Sequence, residues 1–397
     1  MILAILFTLT LISSPVQSLD NGIGLTPPMG WNSWNQFGCD ISETTIKSAA
    51  DRIVELGLDK LGYNYVNIDD CWMLADRDDE EHMIPDPDTF PNGMKALGDY
   101  IHSLGLKYGI YSSAGTMTCE ERAASLDHEF IDAFDFASWG VDYLKYDNCF
   151  NEDRDPVERY SAMRDALNAT GRPIFYSICN WGYGHVPLWG NITGNSWRTT
   201  FDIKNQWHSM KLNIMWDSLH PESSGPGGWN DPDMLEVGVT AGEGMTMTEQ
   251  RTHFALWAFV KAPLIIGADL NTVSDEALAI LKNENFIKIN QDSLGNQATC
   301  VAHCSKGLGI ETWMSYQGDE GGYYGVLVVN WSNYMNRSTT VDFLQLGIAS
   351  SSEDICEVTD LWTGEIISEN AKEYKVAVLE PHDNVSIKVR CSSSFEQ

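Results

Sequence analysis

The sequence predicts an α/β protein, a (β/α)8 TIM barrel followed by a C-terminal antiparallel β-sandwich domain. The chain has 397 residues, which fits a barrel of about 250 residues plus a smaller module. From Leu25 to about Gln291, short apolar strands with polar ends alternate with amphipathic segments of helical spacing. Beyond that point the chain changes to short β-rich runs separated by Gly, Asn and Ser.

Eight strand–helix units carry the barrel prediction. The candidate strands are Met29–Trp34, Tyr65–Asp70, Tyr108–Ser112, Val141–Asp147, Ile174–Cys179, Trp197–Thr200, Gly228–Leu235 and Leu264–Asp269. The segment 197–200 has the weakest strand pattern of the eight. Ser42 is a candidate N-cap for the first long helix, and Thr248 is a candidate N-cap for the seventh. Eight units in about 265 residues favour a (β/α)8 barrel.

The C-terminal region has the pattern of an antiparallel sheet or sandwich with few helices. Its candidate strands are Leu308–Met314, Tyr323–Asn330, Ser338–Phe343, Glu357–Leu361, Tyr374–Leu379 and Asn384–Arg390. We place the boundary near residue 295, so that the barrel covers residues 19–295 and the β domain covers residues 296–397. Its tryptophans, Trp313, Trp331 and Trp362, could bind carbohydrate or could equally belong to a core.

The N-terminus predicts a secretory signal peptide at residues 1–18. An apolar run at residues 2–12 is followed by Val16-Gln17-Ser18, which offers small residues at the −3 and −1 positions of a cleavage site. The run is shorter than the ~20 residues of a membrane-spanning helix, and no later stretch is long enough. We therefore expect a secreted or lysosomal/vacuolar protein without a membrane anchor.

Cysteines and sequons agree with this compartment. The nine cysteines leave at least one unpaired, and no Cys-x-x-Cys or His-x-x-x-His pair supports zinc. We predict no metal and no cofactor. Five Asn-x-Ser/Thr sequons occur, and Asn330 follows an apolar run that should make it inaccessible. The glycosylation candidates are Asn168, Asn191, Asn336 and Asn384.

The net charge argues against two classes of partner. At −31 it repels nucleic acid and anionic membranes, and the carboxylates repel one another less at low pH. The balance is therefore compatible with an acidic compartment. The acidic run at residues 76–81 lacks the Gly-containing pattern of an EF-hand loop, so we interpret it as a solvated loop.

The predicted strand ends bring together carboxylates, cations and large aromatic residues. They are Trp34, Asp69, Asp70, Tyr111, Lys145, Asp147, Trp181, Arg198, Asp202, Trp229 and Asp233. In barrels of this kind the site lies at the C-terminal strand ends, and aromatic faces with fixed charges suit a sugar ring. The absence of a Gly-x-Gly-x-x-Gly or Gly-x-Ser-x-Gly motif counts against nucleotide chemistry and a serine hydrolase. Taken alone, Lys145 and Asp147 at the end of the fourth strand could instead form a structural ion pair that closes the strand.

Glycoside hydrolysis needs two carboxyl groups that flank one bond, and Asp147 and Asp202 are the best pair. Lys145 lies two residues before Asp147, so its charge should favour the ionised form that a nucleophile needs. Asp202 follows Arg198 by four residues. Neighbouring carboxylates could raise the pKa of Asp202, which would let it act as general acid and then base. An ordinary helix N-cap is the alternative for Asp202 taken alone.

Through these residues the chain resembles the family 27 glycoside hydrolases, the group of α-galactosidases and α-N-acetylgalactosaminidases. The resemblance covers residues 22–295 in order, and the C-terminal region matches in general character only. The matching segments are Met29–Trp34, Ile68–Trp72, Gly109–Gly115, Tyr143–Cys149, Ser196–Arg198, Gly227–Met234, Ala262–Leu264 and Ile289–Asp292.

The resemblance implies a retaining mechanism, with Asp147 as nucleophile and Asp202 as acid/base. It implies a galactose site in which Asp69 and Asp70 bind O4 and O6. The further residues of that site would be Trp34, Tyr111, Lys145, Cys179, Trp181, Arg198 and Asp233. It also implies the disulfides Cys39–Cys71 and Cys119–Cys149. Some relatives pair a cysteine at position 179 with one just before the Trp-Arg motif, a place that Gly194 occupies here, so Cys179 should be a free thiol facing the pocket.

The implied function is an exo-acting α-galactosidase, whose substrates would be oligosaccharides, galactomannans or glycolipids. Relatives that accept a 2-acetamido group use small residues in the loop where Trp181 stands, so Trp181 favours galactose unless it only packs on the barrel rim. The alternatives are an α-N-acetylgalactosaminidase or a β-L-arabinopyranosidase on the same scaffold, or a non-catalytic galactose-binding protein. The presence of both carboxylates counts against the last. Assembly as a homodimer stays open.

Overall fold

The structure is a computed structural model that describes residues 21–392, and the predicted signal peptide lies outside the described residues. The strands up to residue 266 are β1 (Met29–Asn32), β2 (Tyr65–Asn67), β3 (Met73–Arg77), β4 (Met83–Pro85), β5 (Lys107–Ser113), β6 (Tyr143–Asp147), β7 (Phe175–Ile178), β8 (Ser196–Arg198), β9 (Trp229–Asp231) and β10 (Leu264–Ile266). Eight of them pair in parallel in the order β10-β1-β2-β5-β6-β7-β8-β9. A parallel bridge between Leu235, just beyond β9, and Ile266 closes the barrel. The predicted barrel is confirmed, including its weakest strand, β8.

Helices follow the strands and cover the outside of the barrel. They are α1 (Trp34–Phe37), α2 (Glu43–Glu55), α3 (Gly93–Ser103), α4 (Glu129–Ser138), α5 (Pro156–Thr170), α6 (Trp207–Asp217), α7 (Met247–Phe259), α8 (Asp275–Leu281) and α9 (Glu284–Gln291). Ser42 caps α2 as predicted, whereas Thr246 rather than Thr248 caps α7, because Glu249 three residues later completes a reciprocal capping box. Among the described helices, none combines the length and apolar character needed to cross a membrane.

The C-terminal region is an antiparallel sandwich. Its strands are β11 (Thr299–Ala302), β12 (Ile310–Gln317), β13 (Tyr323–Asn330), β14 (Thr340–Asp342), β15 (Ile355–Asp360), β16 (Ile366–Ala371), β17 (Glu373–Lys375) and β18 (Asn384–Ser392). Six strands pair in the order β11-β12-β13-β18-β15-β16, and β14 and β17 form a second sheet. Val326, Val341 and Ile387 are buried in one core between the sheets. Three features were not predicted: β11, β16 and the β3–β4 hairpin, whose tip holds the acidic run.

The barrel and the sandwich share one continuous core. Trp313 and Trp331 are buried in the cluster that includes the barrel helices, and the ring of Trp331 lies 5.5 Å from that of Trp207. Buried Lys261 donates to Gln317 Oε1 at 2.8 Å. The C-terminal tryptophans therefore pack the two domains together, which favours the core interpretation over a carbohydrate-binding face.

An aromatic cluster closes the amino-terminal end of the barrel. Tyr143 and Phe175, at the starts of β6 and β7, stack with ring centroids 5.0 Å apart and planes 5° apart. The ring of Tyr65, at the start of β2, lies 5.4 Å from that of Tyr143. All three side chains are buried, so this end of the barrel is packed rather than open.

Cysteine pairing and sequon exposure complete the sequence predictions. The disulfides are Cys39–Cys71, Cys119–Cys149, Cys300–Cys304 and Cys356–Cys391, and Cys179 is free and buried. Asn168 and Asn336 are exposed and Asn191 is partly exposed. Asn330 is buried, as expected. Asn384 must be withdrawn as a glycosylation candidate, because its side chain is buried and its Nδ2 donates to Thr252 Oγ1 at 2.9 Å.

Candidate active site

The alternation of β6 directs three side chains into the barrel. Tyr143, Lys145 and Asp147 are separated by two residues each, so they share one face of the strand. The parallel register places Lys145 level with Tyr111 of β5 and Ser177 of β7. The ionisable groups therefore stand at the carboxyl-terminal end of the barrel, directly above the aromatic cluster.

Lys145 is held by a buried carboxylate. Its Nζ donates to Asp69 Oδ2 at 2.8 Å, and Asn32 Nδ2 donates to the same oxygen at 2.8 Å. Burial would lower the pKa of Lys145, but the charge of Asp69 and other carboxylates holds that pKa well above its ordinary value. The neighbouring Asp70 is also buried, and its oxygens accept backbone N–H groups of the next residue and of Glu120. Lys145, Asp69 and Asp70 thus form a fixed polar wall.

Asp147 lies beside this wall. The Tyr111 hydroxyl donates to Asp147 Oδ2 at 2.9 Å, and the N–H of Asn148 donates to Oδ1 at 2.8 Å. Burial raises the pKa of Asp147 to about 6, and Lys145 opposes this only in part. The charge of Lys145 favours the ionised form of Asp147, as expected, but burial outweighs that charge, which is already paired with Asp69.

Asp202 lies at the mouth of the site. Its side chain is 63% exposed, and its Oδ1 accepts a hydrogen bond from Arg198 Nη2 at 3.0 Å. Arg198 also pairs with Asp233 Oδ2 at 2.9 Å. Partial burial would raise the pKa of Asp202, but Arg198 and Lys145 hold it below its ordinary value, so the predicted raised pKa is wrong. The N-cap alternative is also wrong, because Gln206 occupies the N-cap of α6.

The loop after β7 adds a thiol and an indole. Cys179 is buried with its sulfur 3.5 Å from Arg198 Nη1, and burial together with Asp147 raises the pKa of the thiol well above its ordinary value. Trp181 is partly exposed and has a φ of 57°, a left-handed conformation that is uncommon for a tryptophan. Trp34 is half-buried at the start of α1 on the same rim.

One predicted residue is misplaced and two were missed. Trp229 begins β9, is fully buried and donates to Gly24 O at 2.7 Å, so it belongs to the opposite end of the barrel and not to the site. Asn32 and Asp231 line a cavity of about 20 Å³ beneath Lys145 and Arg198, which is room for about one water. Both end their strands, which is the signal that could have identified them. Burial raises the pKa of Asp231 to about 6.

The site therefore combines two carboxyl groups that influence each other with a wall of fixed donors and acceptors. Burial is the main cause of the raised pKa of Asp147, and the charge of Asp202 adds to it. One of the two carboxyl groups is buried and the other faces solvent. Such a pair can deliver a nucleophile from inside the pocket and a proton from its mouth.

Comparison with protein families gives matches over both domains. A family model described as alpha galactosidase A matches residues 26–292. A second model, described as alpha galactosidase C-terminal beta sandwich domain, matches residues 309–389.

Individual relatives match over nearly the whole chain. Alpha-galactosidase 3 of Arabidopsis thaliana is 48% identical over 367 residues, which are 92% of this chain and 82% of the relative. The crystal structure of alpha-galactosidase I from Mortierella vinacea has a TM-score of 0.87 at 35% identity and covers 93% of this chain and 98% of that one. The alpha-galactosidase of Saccharomyces cerevisiae, solved with raffinose, has a TM-score of 0.83 at 32% identity, with coverages of 94% and 99%.

Proposed function

This chain belongs to the α-galactosidase family of glycoside hydrolases, and we propose that it is a retaining exo-α-galactosidase that releases terminal α-galactose by double displacement. The observation that carries the proposal is the placement of two carboxyl groups at the carboxyl-terminal end of the barrel: Asp147 is buried and accepts from Tyr111, and Asp202 is exposed at the mouth and pairs with Arg198. The 48% identity to the Arabidopsis thaliana relative supports the substrate class.

In the first step an oxygen of ionised Asp147 attacks the anomeric carbon, and the bond from that carbon to the leaving oxygen breaks. Protonated Asp202 gives its proton to the leaving oxygen, so the free aglycone departs neutral. In the second step Asp202 takes a proton from water, and the water oxygen displaces Asp147 from the anomeric carbon. Two inversions restore the α configuration.

The wall of the pocket fits the recognition of galactose hydroxyls. Asp69 and Asp70 are the proposed partners of O4 and O6. The remaining parts of the ring are proposed to contact Trp34, Tyr111, Cys179, Arg198 and Asp233. The mutual hydrogen bonds between these groups keep the acceptors and donors oriented before substrate arrives. Trp181 is proposed to face C2.

The substrates that we propose are α-galactosides of the raffinose type, galactomannans or glycolipids. Support for the first comes from the raffinose that was bound to the yeast relative. The four disulfides, the net charge of −31 and the sequence of residues 1–18 support transit through the secretory pathway, to the outside or to a lysosome or vacuole.

Early-time proton NMR tests the mechanism. With an aryl α-galactoside, α-galactose should be the first sugar released, and β-galactose as the first product would refute double displacement. A parallel assay with aryl α-N-acetylgalactosaminide and aryl β-L-arabinopyranoside tests the two alternatives on the same scaffold. Faster turnover of either would replace the α-galactosidase assignment.

A further inference from the structure

Three aromatic side chains form a row on the rim beside the proposed acid/base. The rings of Trp181 and Tyr183 lie 6.3 Å apart, and the rings of Tyr183 and Phe201 lie 5.7 Å apart with planes at 87°. Tyr183 is 52% exposed and Phe201 is 63% exposed. Large aromatic side chains that touch each other and remain open to water often mark a binding surface. We call these three residues the rim row.

The rim row joins two loops that are fixed to each other. Gly182, between the first two members, donates its N–H to Arg198 O at 3.1 Å. Its φ is 81°, and a Cβ there would stand 2.5 Å from Thr199 O. Asn180 Nδ2 donates to Tyr183 O at 2.7 Å. The loop after β7 therefore packs directly on the segment after β8, and the rings are held in place by backbone contacts.

The position of the rim row relative to the chemistry is set by the chain itself. Phe201 immediately precedes Asp202, whose carboxyl faces solvent at the mouth of the site. In the proposed first step that carboxyl gives its proton to the oxygen between the galactose and the leaving group. The leaving group must therefore lie on the outer side of Asp202, where Tyr183 and Phe201 are exposed.

We propose that Tyr183 and Phe201 form the binding site for the leaving group, and that they stack on the apolar face of a neutral hexose linked to the terminal galactose. A sugar is favoured over a lipid chain because the row is short, carries the Tyr183 hydroxyl and ends beside the exposed Asp202 carboxyl. The inference rests on the proposed function and adds a preference for oligosaccharides over galactosides with small leaving groups.

The test compares two substrates in one variant. Raffinose carries a hexose in the leaving group, whereas α-galactosyl fluoride carries only a fluorine atom. In Phe201→Ala, the ratio of kcat/KM for raffinose to kcat/KM for α-galactosyl fluoride should fall about tenfold, the loss expected for one aromatic contact. Phe201→Tyr keeps the ring and should restore the ratio. Phe130→Ala removes a similarly exposed ring on α4, 56% exposed, and serves as the matched control.

Transfer to an acceptor gives a second readout on the same surface. A sugar that enters the leaving-group site of the galactosyl-enzyme competes with water, so Tyr183→Ala and Phe201→Ala should each lower the ratio of transfer to hydrolysis when melibiose is the acceptor. Melting temperature and circular dichroism identify any variant that fails to fold. The leucine variant at the same position (Tyr183→Leu or Phe201→Leu), which keeps apolar bulk but removes the ring, then replaces it, and the same fall in the ratio is expected.

The outcomes separate the two proposals. If the wild type hydrolyses neither substrate, the proposed function fails. If it hydrolyses both and folded Phe201→Ala keeps the wild-type ratios, the rim row does not bind the leaving group and only this inference is overturned. An equal fall in Phe130→Ala would likewise overturn it.

Discussion

The two ends of the barrel are built from the same strands and differ in almost every physical property. At the amino-terminal end, Tyr143 and Phe175 stack in a buried cluster. Two and four residues later on β6, Lys145 and Asp147 carry charge into a pocket. One face of β6 thus holds a packed aromatic ring at its start and ionisable side chains at its end, about 13 Å further along the backbone.

The difference shows where this molecule gains and loses stability. The amino-terminal end (the lower end) buries aromatic surface, which favours folding. The upper end buries carboxyl groups whose pKa values rise because ionisation there is costly, as at Asp147 and Asp231. It also holds Trp181 and Asp233 at positive φ, at 57° and 87°. The upper end is therefore expected to be destabilising by itself and to depend on the lower end.

The largest expected effect comes from removing the proposed nucleophile. Asp147→Asn should lower kcat by about 10⁴-fold or more, since no other group can form the galactosyl-enzyme, while stability stays equal or rises. Steady-state kinetics and urea denaturation measure the two quantities. Peptide mapping after a 2-deoxy-2-fluoro-galactosyl inactivator should place the label on Asp147 of the wild type, and a label on another carboxylate would contradict the assignment.

A substitution at the amino-terminal end of the barrel should lower stability and leave activity nearly unchanged. Phe175→Ala removes a buried ring from the stack with Tyr143 and should lower the free energy of unfolding by about 3–5 kcal/mol. Because Phe175 lies far below the pocket, kcat per folded molecule should stay within about twofold of wild type. Denaturation curves with active-site titration decide the matter. Phe134→Ala, at a half-exposed helix position, is the control and should cost little.

A smaller effect is expected at Trp181, which should set the specificity for the substituent at C2 of the sugar. If the Trp181 indole fills the space beside C2, an acetamido group must displace it, which typically costs about 1–3 kcal/mol. The wild type should then prefer the galactoside over the N-acetylgalactosaminide at least tenfold in kcat/KM, and Trp181→Ala should reduce that preference. Equal rates on both sugars in the wild type would show that Trp181 only packs.

The smallest effect concerns the pH profile. In the proposed mechanism the productive enzyme has Asp147 ionised and Asp202 protonated, so kcat/KM should follow the form in which the two carboxyls share one proton. It should fall as the pH rises above about 6, where that proton is lost because the pKa of Asp147 is raised to about 6. The acidic limb should lie low, because Arg198 depresses the pKa of Asp202.

The charge of Asp202 also raises the pKa of Asp147, so Asp202→Asn should move the ionisation of Asp147 to lower pH. The rate of inactivation by 2-deoxy-2-fluoro-galactosyl fluoride, which needs little acid assistance, reports this ionisation. An unchanged midpoint would show that the two carboxyls do not interact.

Much of the fold was predictable because hydrophobic alternation is a local property. The run that ends at Asp147 identified β6, and the predicted segment 197–200 overlaps β8 at Trp197 and Arg198. Features that depend on tertiary contacts were not predictable. The cap of α7 depended on a reciprocal bond to Glu249, and the wrong placement of Trp229 arose because the start of a strand and its end read alike.

The site was predictable in membership but not in electrostatics. The motif residues around Lys145, Asp202 and Asp233 do meet on one rim, since the carboxyl ends of parallel strands must. The predicted raised pKa of Asp202 was wrong, and the dominant effect of burial on the pKa of Asp147 was not predicted. These pKa values depend on how deeply each carboxyl group is buried and on which carboxylates pair with Lys145 and Arg198. The spacing of residues along the sequence determines neither property.

Gly182 has a consequence for how this enzyme can diversify. Its backbone contact with Thr199 tolerates no side chain, whereas the neighbouring Tyr183 is exposed and Trp181 is partly exposed. Selection can therefore exchange the neighbours without disturbing the strand ends that carry the reaction. Gly182 is thus the fixed position of this loop. Substitutions beside it can change the range of substrates while the catalytic residues keep their positions.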